Sequence, residues 1–336
     1  MMPTDRRSPP QAGSPPAVTV VDIIDPTTAS ETIEVLEQDV VMLESRPLRA
    51  RRVTVRLEGA LVVFHRTNLR VRTRASVNRD LVAYGVFGPR TKGTANGLPL
   101  RSGTMLAVQA GTEVAFVSER GYESIFALLS PGEIEAHLRG RQQEDSFRLP
   151  RGAEILHRDP TSVGRLFAWG KRLVETATRR PELFNDRREA RAAAQVELLE
   201  LLLTTLGAAT GFQPPRSDLT RLARSRIVEI AEDYALACAG DRLFVTELCR
   251  ATGVSERSLQ YAFKETMGTT PTSYLTRVRL HRVRKALQAA TRTSTTISAE
   301  ALNMGFWHFG EFSRAYRDCF GEPPSATRRR SAADTR

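Results

Sequence analysis

Arg257, Gln260, Tyr261 and Lys264 are spaced so that a helix carries all four on one side. Arginine and glutamine end in planar forks that match the hydrogen-bonding edges of guanine and adenine, and lysine meets phosphate as a point charge. Leu259, Phe263 and Met267 recur every four residues on the other side and suit a core. Ser255 stands just ahead, where its hydroxyl can cap the start of that helix. A second set follows 53 residues on, where Phe263, Gly268 and Pro271 repeat as Tyr316, Gly321 and Pro324. There His308, Gly310, Glu311, Arg314 and Arg317 take the outward positions, with Phe312, Tyr316 and Phe320 inward. Two copies of so small a unit suit two helices laid in successive stretches of one major groove of double-stranded DNA.

The elements that must position these residues can be read from the same stretch. Residues 245–252 form a leading helix, with Cys249 where a small side chain lets the next helix cross closely. Gly253 supplies the turn, Gly268 ends the second helix and Pro271 opens a third. That third helix is expected over 272–290, ~28 Å at 1.5 Å per residue. A strut of that length holds two helices close to one DNA turn apart, ~34 Å. Tyr274, Leu275, Val278, Val283, Ala286 and Leu287 are its burial candidates, and Arg277, Arg279, Arg282, Arg284 and Lys285 its charges. Arg279 and Arg282 read as a solvated face or, for Arg279, as an ion-pair partner. In the second unit the spacing predicts a helix over 309–319. Trp307 and Phe309 are expected to pack, and His308 reads either as a turn histidine or as a base reader.

At 336 residues the chain has room for two domains with cores of their own. The net charge is +11, and the excess is local: 19 Lys and Arg face 12 Asp and Glu from residue 221 onward, against 30 and 26 before it. A phosphate-binding surface would concentrate charge in that way. Cys238, Cys249 and Cys319 fall in predicted helices without a CxxC pair and read as buried thiols in a reducing compartment. No apolar run approaches the ~20 residues that span a bilayer. Residues 1–17, rich in Pro, Arg and Ser, read as a disordered tail and not a signal peptide. The expectation is a cytoplasmic protein with no membrane partner.

The region before the repeat reads differently. Val53, Val55 and Leu57 alternate with polar residues, and further strands are expected at 61–64, 81–87, 105–109, 113–118 and 124–129. Gly88-Pro89, Ser102-Gly103 and Ala110-Gly111 punctuate them, which suggests a small antiparallel barrel or half-barrel. Asp25-Pro26-Thr27-Thr28 predicts a helix running to about Gln38 with Ile33, Leu36 and Val40 on one face. Helices resume at Pro131 and again from Asp159. A further helix over 186–206 carries Ala192, Val196, Leu199, Leu203 and Leu206, which fit either a short dimer seam or ordinary core packing. Residues 211–217, Pro-rich and polar, read as a linker. The chain thus divides into a tail (1–17), a first domain (18–210), a linker (211–220), a second domain (221–330) and a tail (331–336).

Little in the first domain suggests catalysis. His65, His137 and His157 are far apart and lack an HxH pair, so neither a metal nor another cofactor is expected. No cysteine falls there, and Gly85, Gly88 and Gly93 lack the spacing of a phosphate loop. Tyr84, Phe87, Phe116, Tyr122 and Phe126 either line a small apolar pocket or simply fill the core. An amine ligand would need Glu113 or Glu123 inside such a pocket.

Residues 221–330 resemble the tandem helix-turn-helix domain of the AraC/XylS family. The resemblance rests on Gly253-Val254-Ser255, on Phe263, Gly268, Pro271 and Tyr274-Leu275, on Arg279-Leu280, on Gly305-Phe306, and on Phe320-Gly321 with Pro324. Residues 257–263 and 305–312 further resemble the branch that contains ethanolamine-operon activators. The family implies an α+β chain, in which a cupin-like half-barrel with a helical dimerisation segment precedes an all-α tandem helix-turn-helix domain. It implies promoter DNA, RNA polymerase, a small-molecule effector and a second copy of the chain as partners, and activation as the output. By position it implies base contacts from Arg257, Gln260 and Tyr261, and from His308, Gly310, Glu311 and Arg314, with Ser255, Lys264 and Arg317 beside them. Trp307 and Phe309 depart from the small or polar residues usual at those positions, so the second unit either reads bases or clamps the backbone. The alternatives are a ligand-independent repressor or architectural protein, and a β-barrel enzyme with an attached DNA-binding domain.

Overall fold

The computed structural model describes residues 15–29, 33–77, 80–141, 148–207, 215–238, 244–289 and 295–334. Its first half is built of antiparallel strands: β1 (Val18–Ile23), β2 (Leu36–Met42), β3 (Ala50–Arg56), β4 (Ala60–Thr67), β5 (Val71–Val77) and β6 (Val82–Phe87). After these come β7 (Gly93–Ala95), β8 (Leu98–Pro99), β9 (Thr104–Val108), β10 (Glu113–Ser118), β11 (Tyr122–Leu129), helix α1 (Pro131–Arg139) and β12 (Ala153–His157). One sheet has the order β1-β3-β4-β11-β6-β9-β12 and the other β2-β5-β10-β7-β8. Their inner faces share a core that includes Val63, Leu106, Val114, Phe116 and Leu128.

Strand alternation assigns each residue of the larger sheet to one face. Arg52, His65 and Ser124 stand side by side across β3, β4 and β11, facing the second sheet. Their neighbours Val53, Phe64 and Ile125 face the opposite way, into a core with Leu166, Phe167 and Val174 of α2 (Pro160–Arg179). Helix α3 (Glu182–Asn185) and α4 (Arg188–Gly207) complete that layer. On α4, Ala194, Leu198, Leu199 and Leu202 are buried, whereas Ala192 and Val196 are exposed, so core packing takes only part of the expected seam.

Two expectations are corrected. The helix expected over 25–38 is instead a single 3-10 turn (Pro26–Thr28) followed by β2. Asp25 caps that turn, accepting from Thr27 N at 3.0 Å. From Leu36 onward pairing with β5 holds the chain extended, tertiary contact overriding a local helix start. The described residues of the first domain also hold twelve strands, where about six were expected. Strand β5 escaped notice because Arg72 and Arg74 give it the look of a solvated segment, yet Arg72 is buried against a helix of the second half.

The second half is helical: α5 (Arg216–Ala237), α6 (Val245–Thr252), α7 (Glu256–Met267), α8 (Pro271–Ala289), α9 (Ile297–Asn303), α10 (Phe309–Phe320) and α11 (Pro324–Asp334). Helix α5 starts within the stretch read as a linker, whose residues 211–214 lie outside the described residues, and α11 runs into the stretch read as a C-terminal tail. Residues 1–14 of the N-terminal tail likewise lie outside the described residues.

The helical half docks on the outer face of the smaller sheet. Val41, Leu43 and Val117 join the core of the first helical unit, around Leu248, Leu259 and Phe263. Ile23, Leu48 and Leu69 join that of the second, around Val283, Phe312 and Tyr316. Across this interface Arg72 donates to both oxygens of Glu232, at 3.1 and 2.5 Å, and Tyr274 Oη donates to Glu232 at 2.5 Å. Arg72 and Glu232 are each at most 2 % exposed.

Candidate nucleic-acid interface

In the first unit, Glu247 accepts from the backbone N–H of Phe244 at 2.8 Å and fixes the start of α6. Gly253 then turns the chain with φ +68°. Ser255 caps α7, its Oγ accepting from Ser258 N at 3.3 Å. This hydroxyl, expected beside the DNA, is therefore already engaged in starting the helix. The inward side of α7 buries Leu259, Ala262, Phe263 and Met267. Its outward side leaves Arg257, Gln260, Tyr261 and Lys264 exposed, as the periodicity predicted. Gln260 Nε2 donates to Glu256 Oε1 at 3.0 Å, and the guanidinium of Arg224 lies 4.5 Å from the centre of the Tyr261 ring. A cation on a ring face holds the ring in one orientation and adds positive charge beside it.

The second unit repeats this construction. Gly268 and Gly321 end α7 and α10 with φ +66° and +74°, a left-handed cap that favours glycine. Helix α10 starts after His308 and buries Phe312, Tyr316 and Cys319. His308, Gly310, Glu311, Arg314 and Arg317 are all exposed. Trp307 and Phe309 do not pack as expected: they are 56 % and 42 % exposed and extend the outward surface of α10 at its start. Gly305, with φ +78°, turns the chain just before them, so side chains able to stack stand where burial was foreseen.

Helix α8, about 28 Å long by its 19 residues, joins the two units. Most of its arginines are committed to the fold. Arg277 donates to Met42 O at 3.2 Å and to Ser45 Oγ at 3.1 Å, and Arg282 to Leu236 O at 2.8 Å. Arg284 is 5 % exposed and donates to Asp25 at 2.8 and 2.6 Å. Burial works against the Arg284 charge, but Asp25 more than offsets it and holds the guanidinium pKa above its ordinary value. His281 is buried beside it, accepts from Met42 N at 3.3 Å and is pushed down to about 3 by burial, so it stays neutral. Apart from Arg282, whose partner lies on α5, these contacts cross between the two halves, and sequence reasoning missed them. The basic surface facing outward is thus narrower than composition suggests.

Among the described residues no group of three or more His, Cys, Asp or Glu comes together to hold a metal ion. Among them, too, no helix is long and apolar enough to cross a membrane. The expected aromatic set divides: Phe116, Tyr122 and Phe126 line a cavity between the two sheets, whereas Tyr84 faces the helical layer. Neither Glu113 nor Glu123 enters that cavity; they pair instead with Arg74 and Lys171.

Residues 248–330 match the family described as a helix-turn-helix domain. Over 99 residues the chain is 40 % identical to the probable thc operon regulatory protein of Rhodococcus erythropolis, covering 30 % of either chain. With the XylDLEGF operon transcriptional activator 2 of Pseudomonas putida it shares 40 % identity over 81 residues, 24 % of this chain and 52 % of that one. These matches therefore span about a third to a half of the curated relatives. A crystal structure of a probable AraC family transcriptional regulator from Rhodopseudomonas palustris CGA009 is 37 % identical over 32 % of this chain and 97 % of that one, with a TM-score of 0.30. Residues 248–330 are therefore a helix-turn-helix domain of the AraC type, whose two units carry the same glycine caps and outward polar faces.

Proposed function

We propose that the chain is a ligand-responsive transcriptional activator that binds promoter DNA as a homodimer in the cytoplasm and has no enzymatic activity. The observation that carries this reading is the pair of outward faces on α7 and α10. All ten residues singled out for DNA contact are exposed there, while the inward faces are packed. Arg257 and Gln260 read base edges in one stretch of major groove, and Tyr261 and Lys264 lie against the sugar-phosphate backbone. Ser255 fixes the start of the first reading helix. Arg314 and Arg317 grip the next stretch, with His308, Glu311 and the backbone at Gly310 nearest the bases. RNA polymerase is the partner through which bound protein activates. Two copies meet on the exposed strip of α4 that holds Ala192 and Val196.

The test is fluorescence anisotropy with duplexes selected from a random pool by the purified full chain. Support is a selected motif whose affinity falls steeply with salt, as phosphate contacts require. Failure to select any motif would sink the reading.

A further inference from the structure

The cavity between the two sheets has a volume of about 100 Å³. Most of its wall is apolar, from Val63, Leu106, Val108, Phe116, Phe126 and Leu128. Its polar end is formed by Arg52, His65 and Ser124, adjacent in register, together with Gln38 and Thr73 of the facing sheet. No Asp or Glu is among the lining residues described. Arg52 is 3 % exposed, and its guanidinium donates to Ala29 O at 2.7 Å and to Gln38 Oε1 at 2.5 Å. The Nδ1 of His65 is buried and makes no hydrogen bond among the described residues. Burial and the nearby Arg52 charge push His65 down to about 3, so the positive charge at this end belongs to Arg52.

We propose that this cavity binds a small monocarboxylate, its carboxylate held by Arg52 and Nδ1–H of His65 and its apolar body enclosed by Phe116, Phe126 and Leu128. The proposal rests on the ligand-responsive reading above and names the effector class. An apolar cavity of ~150 Å³ takes benzene, so an apolar body of about four to six carbons is the scale expected here, with modest side-chain adjustment for the larger ones. A cationic amine is disfavoured, since its charge would face Arg52 with no carboxylate among the described lining residues to balance it.

The geometry also gives the ligand a route to the DNA-binding half. Arg52 holds Ala29 O, which ends the 3-10 turn that Asp25 begins. Asp25 in turn accepts from Arg284 and, at 2.8 Å, from Gln288, both on α8. A carboxylate that draws Arg52 into the cavity competes with Ala29 O and loosens the anchor of α8, the strut between the two DNA-reading units.

Isothermal titration calorimetry on the full chain tests the site without DNA. The probes are butyrate, isovalerate and benzoate, each against its primary amide. The expected result is that at least one acid binds tenfold or more tighter than its amide, and that Arg52→Gln removes the difference. Equal binding of acid and amide, or no binding of any acid, overturns the proposal. Because the acid–amide comparison uses the unsubstituted chain, it stands even if Arg52→Gln does not fold. Anisotropy with the selected duplex then tests the route: the bound acid is expected to change DNA affinity threefold or more, and an unchanged affinity overturns the coupling. Failure of the calorimetry leaves DNA binding intact, so the two readings fail separately.

Discussion

Replacing Glu232 by Gln tests whether the two halves are docked as described. Glu232 accepts two hydrogen bonds from Arg72 and one from Tyr274, and both members of the ion pair are almost fully buried. Glutamine keeps an acceptor for Tyr274 but turns an NH2 group toward the Arg72 donors, leaving a buried guanidinium without its carboxylate. Breaking a buried pair from one side costs about 3–5 kcal/mol. A control lies one residue away. Asp233 pairs with Arg74 at 2.6 Å but is 58 % exposed, and such a pair contributes at most about 1 kcal/mol. Urea denaturation followed by tryptophan fluorescence compares Glu232→Gln with Asp233→Asn, and Trp169 and Trp307 report on the two halves. The expected outcome is a midpoint loss for Glu232→Gln several times that for Asp233→Asn, with the two halves ceasing to unfold together. Arg72→Met combined with Glu232→Leu should recover most of the loss, since replacing both members of a buried pair is often neutral. If Glu232→Gln and Asp233→Asn differ by less than about 1 kcal/mol, the pair is not buried between packed halves and the docking argument is refuted.

Other substitutions bear on the reading unit and its supports. Arg257→Ala or Gln260→Ala should weaken specific DNA binding by about 1–3 kcal/mol and relax the preference at one base step, read by competition anisotropy across single-base variants. Ser255→Ala should lower stability by about 1 kcal/mol through loss of the cap, measured by chemical denaturation. Gly321→Ala should cost about 1–2 kcal/mol for its left-handed backbone alone, because a Cβ there meets nothing within 4 Å. Gly268→Ala should cost more, since its Cβ would also displace the Arg70 guanidinium. His65 and His281 are both held down to about 3 in the folded chain, against 6.5 for an unperturbed histidine. Their contribution is therefore complete above about pH 6.5 and is lost as pH falls toward 3, at up to about 1.4 kcal/mol per pH unit for each. Urea midpoints between pH 7.5 and 5 should fall, and His281→Asn should flatten the slope.

The helix-turn-helix half was legible because its signals are local. Caps at Ser255, Gly268 and Gly321 and four-residue apolar steps fix helices wherever the chain lies. Trp307 and Phe309 were misjudged because hydrophobic side chains were assigned to packing by type, whereas the turn at Gly305 faces them outward. The first half was legible only in part. A strand is recognisable from sequence when one of its faces meets water, and β5 has no such face: Thr73 looks into the cavity and Arg72 into the docked helices. Asp25 likewise looked like the start of a helix, and it does cap a turn. Its second role, holding Arg284, depends on a contact 259 residues away that no local pattern announces. The cavity lining is unreadable for the same reason, since Gln38, Arg52 and His65 meet only when the strands pair.

The decisive measurement is selection of binding sites from a random duplex pool by the unsubstituted chain and by Arg257→Ala and Arg314→Ala, followed by sequencing. The structure leads us to expect two conserved blocks about one helical turn, ~10–10.5 bp, apart. Arg257→Ala should relax one block and leave the other, and Arg314→Ala should weaken binding at the second. A single enriched block, no enrichment at all, or a motif unchanged by Arg257→Ala would contradict a tandem reading unit built on α7 and α10.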